Sequence, residues 1–141
     1  MLIKKQKTEN LDKLKKLTES FAEHGEEISA IAAVLNNSED VCYIANVKTY
    51  ELLWANNITK KLFGKNIIGM KCYKALQNSD TPCDFCTNVE LKDGEVYKWV
   101  YYNPIVKKHY LIKDRLIKYK GKLARFEQAI EIGDVHGRII L

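Results

Sequence analysis

An α+β domain with an antiparallel sheet, preceded by a long amphipathic helix, is the fold class this sequence predicts, and three features predict it. A helical run without proline ends near Asn36–Ser38, two strand patterns follow, and three further strand patterns close the chain after an irregular stretch. At 141 residues with 46% hydrophobic content, the chain has room for one domain and enough apolar material for a core.

The first element spans Asn10 to Leu35, with no proline and a single glycine. Leu14, Phe21, Ile28 and Leu35 recur at intervals of seven, with Leu11, Thr18, Gly25 and Ala32 as a second set. Asn10 is the expected N-cap, with Asp12 in the first turn. Thr18 and Gly25 bury little, so the face is expected to pack on its own domain or on a second copy rather than form a long free-standing coiled coil. Residues 1–37 are therefore assigned to a basic arm and helix, with residues 38–132 as the folded domain and 133–141 as a tail or linker.

Val41–Ala45 is rich in β-branched and aromatic residues, and Glu51–Asn56 follows a polar bend, so the two read as a hairpin. Asn57 is the expected N-cap of a short helix that stops at Gly64. Residues 66–92 read as irregular, with short helices at Tyr73–Gln77 and just after Pro82. Tyr97, Trp99 and Tyr101 then alternate with Lys98 and Val100. Asn103-Pro104 marks a turn, and strands over Tyr110–Tyr119 and Lys122–Glu131 flank the tight turn at Lys120-Gly121.

Charge is distributed unevenly. The net charge is +5, yet residues 1–16 hold six lysines against Glu9 and Asp12, so the remainder of the chain is nearly neutral. A nucleic-acid binder carries its basic excess on the folded body among aromatic or polar readers, so nucleic acid is not an expected partner. No run approaches the ~18 apolar residues of a membrane span. Residues Met1–Lys5 have no secretory pattern behind them, and the expected location is the cytoplasm.

Four cysteines in a cytoplasmic chain do not suggest a disulfide framework. Cys42 falls in an apolar strand and reads as core. Cys72, Cys83 and Cys86 form a C-x10-C-x2-C pattern that offers three thiolates to zinc or iron. Tetrahedral zinc wants a fourth ligand, for which His109, Asp80, Asp84, a partner residue, a substrate or water are the candidates. The alternatives are thiol–disulfide chemistry at Cys83 and Cys86, favoured if Pro82 opens a helix whose N-terminus stabilises thiolate, or plain packing. Asp84 between the two sulfurs opposes thiolate formation. His24 and His136 read as solvated, His109 as exposed at a strand start, and no constellation of catalytic groups is evident. Trp54, Trp99, Tyr97, Tyr101 and Tyr110 read as sheet core rather than a ligand cage.

The stretch Leu52–Gly64, with its strand, asparagine bend and helix ending in Phe63-Gly64, resembles a PAS domain. So do Gly69-Met70-Lys71-Cys72-Tyr73 and the three-strand finish from Tyr101 to Glu131. The likeness covers roughly Asp40 to Glu131. Cys72 followed by Pro82, Cys83, Phe85 and Cys86 is similar to a cysteine-containing subgroup of PAS domains, resembling sensor segments of diguanylate cyclases, cyclic-di-GMP phosphodiesterases or histidine kinases. The resemblance implies a five-stranded antiparallel sheet with short helices on one face and a pocket between them. It also implies a non-catalytic module that binds a small ligand or senses redox or metal state, pairs with a second copy through its N-terminal helix, and relays to an output domain on the same or another chain. It assigns neither flavin nor haem, and the cofactor stays unknown. Glu131-Ile132-Gly133 stands where the family commonly has Asp-Ile-Thr, and Asp134–Arg138 resembles no known linker.

Overall fold

The computed structural model describes residues Leu2–Gly133. The chain divides into two compact units, Met1–Leu35 and Asn36–Leu141, each described on its own terms below. The expected tail, including His136, lies outside the described residues apart from Gly133.

The first unit is one continuous helix, α1 (Leu2–Asn36). It begins eight residues before the expected N-cap, because Lys4, Lys5 and Lys7 are good helix formers and nothing in this stretch breaks the helix. Asn10 therefore sits inside the helix and caps nothing. The second set of the seam also differs from expectation. Among the large exposed apolar side chains, which also include Ile3, Leu11 and Val34, Leu14, Leu17, Phe21, Ile28 and Ile31 alternate by three and four with His24 at the remaining position. His24 Nδ1 lies 2.8 Å from the Ser20 carbonyl oxygen one turn back.

The second unit is built on five strands: β1 (Val41–Asn46), β2 (Leu52–Ala55), β3 (Tyr97–Asn103), β4 (Lys108–Tyr119) and β5 (Lys122–Glu131). Their order in the sheet is β2-β1-β5-β4-β3, with every described pairing antiparallel. The first and last strands of the domain thus lie side by side at its centre, Val41 opposite Ala129 and Ile44 opposite Phe126. Between β2 and β3 run α2 (Asn57–Phe63), α3 (Cys72–Gln77) and a short 3-10 turn, η1 (Thr87–Val89). The hairpin joining β4 and β5 needs two consecutive residues at positive φ, Lys120 (49°) and Gly121 (75°), and the glycine supplies the second without strain.

Core side chains come from one face of the sheet and from the short helices. Val41, Tyr43 and Ala45 of β1, Tyr110 and Ile112 of β4 and Ala129 of β5 pack with Leu52, Ile67, Cys72 and Leu76. Cys42 is buried, as expected, and burial pushes its thiol up to about 11.

Asn56, not Asn57, caps α2. It is fully buried, and its Oδ1 accepts hydrogen bonds from the backbone amides of Cys42 and Thr59 and from the Thr59 hydroxyl, at 3.1, 3.3 and 2.6 Å. Its amide donates to the Asp40 carbonyl at 2.8 Å. One side chain therefore closes the helix and fixes its first turn onto β1.

No α-helix follows Pro82. Pro82–Cys86 is a turn closed by the Cys86 amide on the Cys83 carbonyl at 3.0 Å, and Cys86 precedes only the three residues of η1. Proline is as much at home in such a turn as at a helix start, which is why the signal misled.

Candidate functional site

A cavity of about 60 Å³ lies between the sheet and the short helices. At about 10–15 Å³ of such space per water, it accommodates roughly four waters or one small molecule. Its wall is largely aromatic. Phe85, Trp99 and Tyr101 form a triad with ring centroids 4.7–5.8 Å apart, and Tyr43, Tyr50, Phe63, Tyr73 and Tyr110 line the same space. Of the five aromatic residues expected to be plain core, Trp99, Tyr101 and Tyr110 thus face a cavity, whereas Trp54 and Tyr97 do not line it.

Strand alternation puts Tyr110, Ile112 and Asp114 of β4 on the same face as Arg125, Glu127 and Ala129 of β5. Two apolar rows therefore carry three charged groups into the interior. Arg125 is 5% exposed, Glu127 9% and Asp114 0%. Arg125 Nε stands 3.8 Å from Asp114 Oδ1 and 4.0 Å from Glu127 Oε1, beyond hydrogen-bond range of either. Asp114 Oδ2 accepts from the Thr87 hydroxyl and from Trp99 Nε1, both at 2.9 Å.

The far end of the guanidinium ties the sheet to the opposite layer. Nη1 donates to Asn88 Oδ1, and Nη2 donates to the Tyr43 hydroxyl at 3.2 Å. Nη1 also reaches the Cys86 sulfur at 3.7 Å and Nη2 the Cys72 sulfur at 3.9 Å. Burial opposes the charge of Arg125, but Tyr43, Glu127, Cys72 and Asp114 together outweigh that and hold it protonated. Burial, reinforced by Asp114, pushes the Glu127 carboxyl well above the usual carboxylate range despite Arg125.

The three cysteines of the sequence pattern do converge: Cys72, Cys83 and Cys86 all line the cavity. The candidates for a fourth ligand lie elsewhere. Asp80 pairs with Lys74 at 3.1 Å on the surface, and Asp84 is exposed. His109 is half-buried rather than exposed, its ring 4.7 Å from that of Tyr102, a residue that alternates away from the cavity-lining Tyr101. Among the described residues no group of three or more His, Cys, Asp or Glu forms a metal-holding set, and the Arg125 guanidinium fills the space between two of the sulfurs. Burial pushes the Cys83 thiol up to about 11 and raises that of Cys72, the reverse of what a nucleophilic thiol needs. All four cysteines are free thiols.

Orphaned polar atoms remain in the interior. The Tyr110 hydroxyl, Arg125 Nε and Asp114 Oδ1 are buried without a hydrogen-bond partner. Tyr110 is 4% exposed and lines the cavity.

No family model matches the sequence, and no curated protein does. Solved structures do match. The PAS domain of an HTR-like protein from Haloarcula marismortui superposes with a TM-score of 0.63 at 12% identity, covering 82% of this chain and 99% of that one. The PAS domain of nitrogen regulation protein NR(II) from Vibrio parahaemolyticus gives 0.58 at 16% identity over 72% and 96% of the two chains. A Rhodobacter sphaeroides LOV protein gives 0.53 at 18% identity over 80% and 71%. With its strand order and helical layer, the chain has the PAS fold.

Proposed function

We propose that the chain is a PAS-type sensory module: it binds a small molecule in the cavity between sheet and helices, performs no turnover, and relays occupancy to an output domain. The observation that carries this reading is an aromatic-walled cavity abutting a buried Arg125–Asp114–Glu127 cluster whose hydrogen bonds tie the sheet to the loop and turn at Cys86–Asn88. A ligand that rearranges Arg125 favours one packing of these layers over another, and such a shift in population is all that signalling requires. Binding is favoured over thiol–disulfide chemistry by the raised thiols of Cys72 and Cys83. It is favoured over a zinc or iron site at Cys72, Cys83 and Cys86 by the guanidinium lying against two of the sulfurs.

The test is calorimetric titration of the full chain with a set of small amines, acids and neutral single-ring compounds. At least one class is expected to bind, and Ala129→Leu, which adds bulk to the cavity wall, is expected to weaken that binding at least tenfold. A set with no binder, alongside an Ala129→Leu protein that is more stable than wild type, would mean that the space is ordinary core.

The proposal extends to α1 as the dimerising element. Leu14, Leu17, Phe21, Ile28 and Ile31 repeat at coiled-coil spacing and are 54–74% exposed. Light scattering is expected to give a dimer mass that falls to a monomer in Phe21→Glu; an unchanged mass in the variant would remove the helix from this role. A solved PAS domain from a two-component sensor histidine kinase, similar to this chain with a TM-score of 0.52 at 12% identity, supports an output partner of the two-component kind, and the sequence resemblance supports a cyclase or phosphodiesterase as well. Free thiols and the lack of a helix long and apolar enough to cross a membrane, among the described residues, accord with a cytoplasmic setting.

A further inference from the structure

From the charge count of the buried cluster and the chemistry of its walls, we infer that the ligand is a small organic cation, an amine or quaternary ammonium compound carrying a hydroxyl or similar hydrogen-bonding group. The inference rests on the cavity being a ligand site and adds the class of the ligand.

Two carboxylates, Asp114 and Glu127, stand within 4.0 Å of a single cation, Arg125, and the three side chains are only 0%, 11% and 6% exposed. The formal balance is one positive charge short. Of the two carboxylates it is Glu127 that lines the cavity, and there burial and Asp114 favour the acid form of its carboxyl. A cation seated against Glu127 substitutes for that proton: the carboxyl ionises, one proton leaves to solvent, and the cluster stays neutral. An anion at the same place would leave the buried cluster with an uncompensated negative charge.

The walls fit the same class. Phe85, Trp99 and Tyr101 line the space, and aromatic rings attract cations through their quadrupoles. Glu127 lines the same cavity as that triad. Tyr110 provides the separate sign of a missing partner: it lines the cavity, and its hydroxyl is buried without a hydrogen-bond partner. A hydroxyl-bearing cation satisfies it.

Choline is a suitable probe, because its charge does not titrate and 3,3-dimethylbutan-1-ol reproduces its shape without charge. In calorimetric titrations of the full chain, choline is expected to bind at least tenfold more tightly than the neutral isostere and to release close to one proton, read from the dependence of heat on buffer. The titratable groups that Glu127 interacts with are Asp114, Arg125, Tyr43, Tyr101, Cys42, Cys72 and Cys83. Because binding ionises Glu127 and releases its proton, choline affinity rises with pH by up to about tenfold per unit until Glu127 is ionised in the free protein. Glu127→Gln mimics the protonated side chain and is expected to unfold at or above the wild-type temperature. It should lose at least tenfold in choline affinity and bind choline and the isostere alike. Trp99→Leu should weaken choline more than the isostere. Equal binding of the two probes to wild type, or binding of benzoate in their place, overturns the cation assignment and leaves the ligand-site reading standing. If none of the three binds, the cation assignment falls, and the compound set described above decides whether the ligand-site reading falls with it.

Discussion

Replacing Arg125 with methionine is expected to cost the domain roughly 3–5 kcal/mol at pH 7, the usual penalty for removing one partner of a buried ionic cluster. By about 4–8 °C per kcal/mol for a domain of this size, the fall in Tm exceeds 10 °C. The loss has several parts: Asp114 and Glu127 are left facing each other, and Asn88 and Tyr43 lose their shared donor. Its pH dependence distinguishes this cause from simple loss of packing. Arg125 is the charge that lowers the Glu127 carboxyl, so without it Glu127 titrates still higher in the folded protein than in the unfolded chain, and the stability this permits is full below the ordinary carboxylate range and drains away as pH rises towards the folded value. Thermal unfolding followed by tryptophan fluorescence should therefore show a deficit that is small near pH 4 and grows towards pH 7. A deficit independent of pH would assign the effect to packing instead.

Asn56→Ala is expected to cost about 2–4 kcal/mol, from a lost helix cap together with a buried Thr59 amide left without its side-chain acceptor. The amides of Cys42 and Thr59 both bond to the Asn56 side chain, while the Thr59 hydroxyl also contacts the Cys42 amide and carbonyl at 3.1 and 3.2 Å. Asn56→Asp keeps the acceptor but sets a carboxylate against the Asp40 carbonyl, and it should recover only part of the loss. Chemical denaturation of both variants checks this order; an alanine variant within about 0.5 kcal/mol of wild type would mean that α2 docks without its cap.

The strands were the most legible part of the fold. Alternation along Tyr97–Tyr101 and the Lys120-Gly121 turn locate three of the five, because both signals arise from local backbone geometry. Boundaries set by competing residues of one type were less so: Asn56 and Asn57 are equally good caps in isolation, and only the buried Cys42 amide decides between them. The convergence of Cys72, Cys83 and Cys86 was visible in their spacing, but what they converge on was not.

Arg125, Asp114 and Glu127 went unnoticed in the sequence although a signal was there. In Tyr110-x-Ile112-x-Asp114 and Arg125-x-Glu127-x-Ala129, charged residues stand in phase with the buried apolar ones, so an inward row had to carry charge. Which charges meet depends on the β4–β5 register, in which Asp114 lies opposite Glu127, and that pairing is a tertiary fact.

The two tryptophans offer the most direct test of the cavity as a ligand site. Trp99 lines it and donates its indole N–H to Asp114, whereas Trp54 lies on β2 and does not line it. In proton–nitrogen NMR spectra of the full chain titrated with the amine, acid and neutral compounds, the Trp99 indole signal should move with saturation while that of Trp54 stays in place. If every compound leaves Trp99 unmoved, or displaces both indoles together, the cavity is not the site of recognition.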